Sequence, residues 1–148
     1  MSHVEKIETV KLELSSKDGK KLGYVKNNGV GSKSTMIITE NIDDATIFDV
    51  MTYDKHTQNL KDPCYYKLKN DPKYYLDMHQ NSKAIKQNLF ADKPNFSVSA
   101  STIASWTLNE YLETRIGGYC LGQIEGNENL LAVLGKSKAL LVKAIHVK

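Results

Sequence analysis

LGYVKNNG (residues 22–29), LDMHQNSK (76–83) and LGQIEGNEN (121–129) are three versions of one short pattern. In each, a brief apolar strand runs into a turn that carries asparagine. A turn signal precedes each one: SKDGK before the first, NDPK before the second and IGGY before the third. Leu22, Leu76 and Leu121 lie 54 and 45 residues apart, close to a third of the 148-residue chain. Self-similarity at a near-constant period is the mark of one structural unit used several times.

Working outward, residues 10–14 (VKLEL) alternate apolar and polar, the period-2 sign of a half-buried strand. Lys17-Asp18-Gly19 supplies a tight turn, because Asp and Gly tolerate positive φ. Residues 22–25 return, Asn27-Asn28-Gly29 turns again, 36–39 (MIIT) form a third strand, Asp43-Asp44 interrupts, and 46–50 (TIFDV) form a fourth. The middle third repeats this with 64–68 (CYYKL), a turn at 70–73, and 74–78 (YYLDM). It closes with 106–108 (WTL), where Trp106 takes the place of Phe48. Residues 82–90 (SKAIKQNLF) read in two ways. One is a helical turn or two, capped by Ser82 with Pro94 beyond the end; the other, preferred, is a strand at 85–89. In the last third, 111–114 pair through Gly117-Gly118 with 119–121, followed by 130–134 and 140–145. Many short strands with regular turn signals mean an all-β sandwich or barrel. Three units of four strands predict one domain over residues 1–148, with pseudo-repeats at about 8–58, 62–110 and 111–148.

That arrangement is the pattern of a β-trefoil. SSKDGKKLGYVKNNG (15–29) followed by ATIFDV (45–50) resembles the first repeat of fascin-like and ricin-B-like trefoils, and GGYCLGQIEGNENLLAV (117–133) is similar in the third. Those repeats carry a Gly-x-x-Leu-Gly strand, an Asn/Gly turn and a closing aromatic strand. The resemblance implies a trefoil with internal pseudo-threefold symmetry. The chain departs from the Gln-x-Trp signature of ricin-type lectins, since its one tryptophan stands in Ser105-Trp106-Thr107. The histidine-rich actin-binding trefoils and the His-x-Asp-x-His lectins are not matched either.

Composition narrows the function classes. Charged residues make up 25% and hydrophobic ones 41%, with a net charge of +3. That is ordinary globular composition, and a chain of this size can bury its own core. Lysines alternate with acids along the chain, as in Lys17-Asp18-Gly19-Lys20-Lys21, whereas a nucleic-acid binder gathers its basic residues on one stripe. No nucleic-acid partner is expected. Cys64 and Cys120 are too few for a disulfide framework and read as buried thiols. No apolar run has signal-peptide or membrane-spanning length, so a cytoplasmic chain, or one secreted without such a signal, is expected. Asn95-Phe96-Ser97 is a glycosylation sequon only if the chain meets that machinery.

Catalytic chemistry is hard to find. His3, His56, His79 and His146 have no partner at metal-ligand spacing. Glu40 with Asp43-Asp44 lacks the alternation of a calcium loop, and reads as a solvated acidic turn. No phosphate loop is present, and no metal, cofactor or enzymatic activity is expected. The asparagine turns are the better candidates. Asn27 and Asn28, Asn81, and Asn127 and Asn129 fall at equivalent points, beside Tyr24, Tyr75 with Asp77 and His79, and Tyr119 with Gln123. An aromatic platform for C–H faces, with amides or carboxylates for hydroxyls, is the chemistry of a shallow sugar site. Against it, Asn is a good turn residue and Tyr a good strand residue. In Tyr65-Tyr66 and Tyr74-Tyr75 one ring of each pair should face the core and the other outward. The expectation is a non-enzymatic, lectin-like glycan binder. The alternative is a protein-interaction trefoil, a protease inhibitor or a fascin-like cytoskeletal binder, favoured by the long irregular segment 79–100.

Overall fold

The computed structural model describes residues 5–29, 34–52, 59–78, 86–93, 103–114 and 118–148. They form twelve β-strands: β1 (Glu5–Ser15), β2 (Lys21–Asn28), β3 (Thr35–Thr39), β4 (Phe48–Thr52), β5 (Tyr65–Leu68), β6 (Tyr75–Met78), β7 (Lys86–Asp92), β8 (Trp106–Leu108), β9 (Leu112–Thr114), β10 (Tyr119–Ile124), β11 (Asn127–Gly135) and β12 (Leu141–His146). Single 3-10 turns, Ile42–Asp44 and Lys136–Lys138, precede β4 and β12. Among the described residues there is no α-helix, and so none long and apolar enough to cross a membrane.

The strands make one antiparallel sheet in the order β3-β2-β1-β4-β5-β6-β7-β11-β10-β9-β8, with β12 added beside β1. The sheet curls back on itself: β3 pairs with β11 through Ile37 and Leu130. A two-way backbone bridge between Cys64 and Trp106 joins the entrance of β5 to β8. Val142 N–H donates to the Glu110 carbonyl at 2.9 Å and brings β12 against the turn before β9.

The period-2 pattern of β1 explains the core. Val10, Leu12 and Leu14 are wholly buried, while Lys11 and Glu13 on the other face stay half-buried. Burying each such aliphatic side chain stabilises the fold by about 1.5–3 kcal/mol. Phe48, Tyr66 and Trp106 fill the same cluster, with Phe48 and Tyr66 edge-on at 6.0 Å between ring centres. Both cysteines are free and buried.

Of the expected strand 85–89, residues 86–89 fall in β7, and Ile85 lies outside the described residues. In β7, Leu89 and Ala91 enter the core opposite Met78 and Leu76, and the Ser34 hydroxyl accepts Ala91 N–H at 2.6 Å. Seven residues of ladder therefore lie within 79–100, expected from the sequence to be irregular; residues 79–85 and 94–100 lie outside the described residues. The expected strand at 46–50 begins later, at Phe48. Thr46 gives its N–H to the Val25 carbonyl and its hydroxyl accepts Asn27 N–H, so it ties β2 down instead of joining the ladder.

Candidate functional site

Tyr24, Asn27 and Asn28, Tyr75 and Asp77, and Tyr119 and Gln123 sit on the first strands of three hairpins, β2–β3, β6–β7 and β10–β11, and Asn127 on the second strand of the last. Tyr24 in β2 faces Glu13 on one side and Thr39 on the other, with Lys21 Nζ 5.0 Å from its ring centre. It is only 5% exposed. Asn27 is half-buried: its N–H donates to Thr46 Oγ1 at 2.7 Å, its side-chain amide donates to the Gly29 carbonyl, and Oδ1 has no partner among the described residues. Asn28 is exposed at the end of β2.

The second hairpin is more closed. Tyr75 is 6% exposed and packs with Met51 and Ile103, flanked by Tyr65, in a small cluster separate from the main core. Asp77 is 5% exposed, and its Oδ1 accepts Ala104 N–H at 3.0 Å. That carboxylate works as a clasp between β6 and the segment leading into β8. In both tyrosine pairs the expected inside-outside split is blurred. Tyr66 is in the core, but Tyr65 covers Tyr75; Tyr74 is half-buried under Lys93 Nζ at 5.5 Å. His79 and Asn81 lie outside the described residues, as do His3, His56 and the sequon 95–97.

In the third hairpin the candidate side chains of β10 are half-buried. Tyr119 is half-buried opposite Gly135, and Gln123 is half-buried opposite Leu131. Asn127 opens β11 opposite Ile124. Tyr119 and Gln123 share one strand, as Tyr75 and Asp77 do. The three hairpins themselves meet, β11 pairing with both β3 and β7.

A contact that sequence patterns do not signal lies beside Tyr119. Lys17 Nζ donates to the Lys136 carbonyl at 2.8 Å across 119 residues, and sits 5.4 Å from the Tyr111 ring centre. Read alone, KDGKK (17–21) and GKSK (135–138) are two polar turns, and no spacing rule ties one to the other.

The thiols are poor nucleophiles. Burial, with Asp62 nearby, pushes Cys64 up to about 11, and its Sγ points at the Asp62 carbonyl at 3.3 Å. Burial likewise raises Cys120, with Glu113 adding to it. Among the described residues no group of three or more His, Cys, Asp or Glu gathers to hold a metal ion. No protein-family model matches the chain, and no curated protein matches it.

Proposed function

We propose that the chain is a β-trefoil that binds carbohydrate without turnover, through the third hairpin. Support for the trefoil comes from equivalent partners. Glu13, Lys67 and Glu113 face Tyr24, Tyr75 and Cys120 respectively. The next residue in each case, Val25, Leu76 or Leu121, is wholly buried. Each of their carbonyls accepts a hydrogen bond from the segment that closes its unit: Thr46 N–H at 3.0 Å, the Trp106 indole at 3.3 Å and Leu140 N–H at 3.0 Å. Three hairpins (β2–β3, β6–β7, β10–β11) and a ring of pairings through β1, β4, β5, β8, β9 and β12 agree with three units of four strands.

The observation that carries the carbohydrate reading is that Tyr119, unlike the other two candidate tyrosines, is not fully buried. A sugar platform needs an accessible aromatic face. Of the three candidate tyrosines, Tyr24 and Tyr75 are buried, whereas Tyr119 is half-buried with part of its ring packed against the core, and Gln123 stands on the same strand as a hydroxyl partner. The burial of Tyr24 and Tyr75 favours a second reading, a protein-interaction trefoil, because it leaves one platform instead of three. A glycan array with the wild-type chain, Tyr119→Ala and Gln123→Ala tests the first reading. Binding lost in folded variants supports it. A blank array, with capture of a defined protein partner, replaces it by the second.

A further inference from the structure

The fold joins two lysine-bearing turns that are distant in sequence. The hydrogen bond from Lys17 Nζ to the Lys136 carbonyl holds the β1–β2 turn against the 3-10 turn before β12. Lys17, Lys20, Lys21, Lys136 and Lys138 are all exposed. The positive charges of Lys136 and Lys17 both reach the buried Cys120 thiol, beside the larger opposing influence of Glu113, in keeping with that convergence. Part of this charge is answered. Lys21 pairs with Glu13 at 3.8 Å and Lys138 with Glu125 at 3.7 Å. Asp18 is tied up within its own turn by the Ser16 hydroxyl and Lys20 N–H. Lys17, Lys20 and Lys136 have no ion-pair partner among the described residues. Asp18 keeps its charge and acts on Lys20, and Glu113 acts on the same Cys120 thiol as Lys136 and Lys17, so five lysines face four carboxylates (Glu13, Asp18, Glu113 and Glu125) and the excess of positive charge at the junction is small. The junction adjoins the third hairpin, because Tyr119 faces Gly135, the residue before Lys136.

We infer that this junction binds a sulfated carbohydrate chain, with Tyr119 at its edge and Lys20 and Lys136 reading the sulfates. The inference rests on the carbohydrate reading above and gives it a ligand class. Lysine ammoniums are compact point charges on flexible stems, suited to sulfates spaced along a flexible chain. A single-stranded nucleic acid would need a row of free aromatic faces for stacking successive bases; here the Tyr111 ring already takes the Lys17 ammonium and leaves only the half-buried Tyr119. A membrane surface would favour an apolar side chain to insert. The exposed large hydrophobic among the described residues, Ile42 at 38%, stands between β3 and β4 instead.

The test uses the full chain with four probes: heparin, chemically desulfated heparin, a neutral glycan array and single-stranded DNA of matched charge. The expected result is salt-sensitive heparin binding, weakened at least about tenfold in Lys20→Gln/Lys136→Gln and lost on desulfation. Both positions are exposed, and an unchanged melting curve establishes that the variant folds. Heparin binding unchanged in the variant, or DNA binding equal to heparin binding, overturns the inference. Neutral glycans bound through Tyr119 without the lysines also overturn it while leaving the carbohydrate reading intact. No binding to any glycan removes both.

Discussion

Trp106 donates its indole N–H to the Leu76 carbonyl at 3.3 Å, where the carbonyls of Val25 and Leu121 accept main-chain N–H groups from Thr46 and Leu140. The middle third thus satisfies with a side chain what the other two satisfy with backbone. The consequence is that one residue supplies both core volume and a hydrogen bond. Trp106→Phe removes the donor from a buried carbonyl, which costs about 1–3 kcal/mol, and leaves a small void besides. We expect a total loss of about 2–4 kcal/mol in urea unfolding. A loss below about 1 kcal/mol would mean that the Leu76 carbonyl finds another donor.

Tyr66 presents the opposite case. Its ring is wholly buried, its Oη has no partner among the described residues, and burial drives its phenol well above the ordinary range. An unpaired buried hydroxyl is a cost to the fold. Tyr66→Phe keeps the packing against Phe48 and removes that cost. We expect stability unchanged or raised by up to about 1 kcal/mol, read as an equal or higher melting temperature. A clear drop would show that the hydroxyl is hydrogen-bonded in solution.

These two residues mark what was legible in the sequence and what was not. Alternation in VKLEL (10–14) gave the inward face of β1 correctly, because period 2 maps directly onto the two faces of a strand. The aromatic places of Phe48 and Trp106 were legible for the same reason. The register of the first echo was not. In the trefoil proposed above, Val25 takes the place of Leu76 and Leu121, three residues beyond Leu22, with which the sequence pattern aligns them. The Leu-Gly pairs at 22–23 and 121–122 align at the other offset. The site was less legible than the fold. Alternation says that Tyr75 faces away from Tyr74, but not that Met51 and Ile103 cover it. Nor does any local rule bring Lys17 to Lys136.

Gly23 tests close packing of backbone on backbone. It holds φ +143°, and a Cβ there would stand 2.3 Å from the Thr39 carbonyl oxygen in the adjacent strand. Gly23→Ala must therefore push β3 away from β2. Gly19, at φ +92° in the β1–β2 turn, has nothing within 4 Å of the same built atom. There the penalty is conformational alone, about 1 kcal/mol. We expect Gly23→Ala to cost at least about 2 kcal/mol, and the two variants to separate cleanly in thermal melts. Equal costs would mean that β3 yields freely, against its ladder from Thr35 to Thr39.

The thiols make the folded protein sensitive to alkali. Burial raises Cys64 from its ordinary 9.0 to about 11, so the folded chain favours the protonated form more than the unfolded chain does. The sign follows from linkage: the unfolded thiol loses its proton first as pH rises. The contribution is complete below about pH 9 and is lost as pH approaches about 11. Cys120 shifts in the same direction and adds to the effect. Cys64→Ala/Cys120→Ala should therefore start less stable, from lost packing, yet fall less steeply across that window when unfolding midpoints are compared. In the wild-type chain, a thiol reagent at neutral pH should label both cysteines at the rate of opening, far below the rate for unfolded protein. Rapid labelling of either one in the native state would place it at the surface, contrary to its burial in β10 or beside β5.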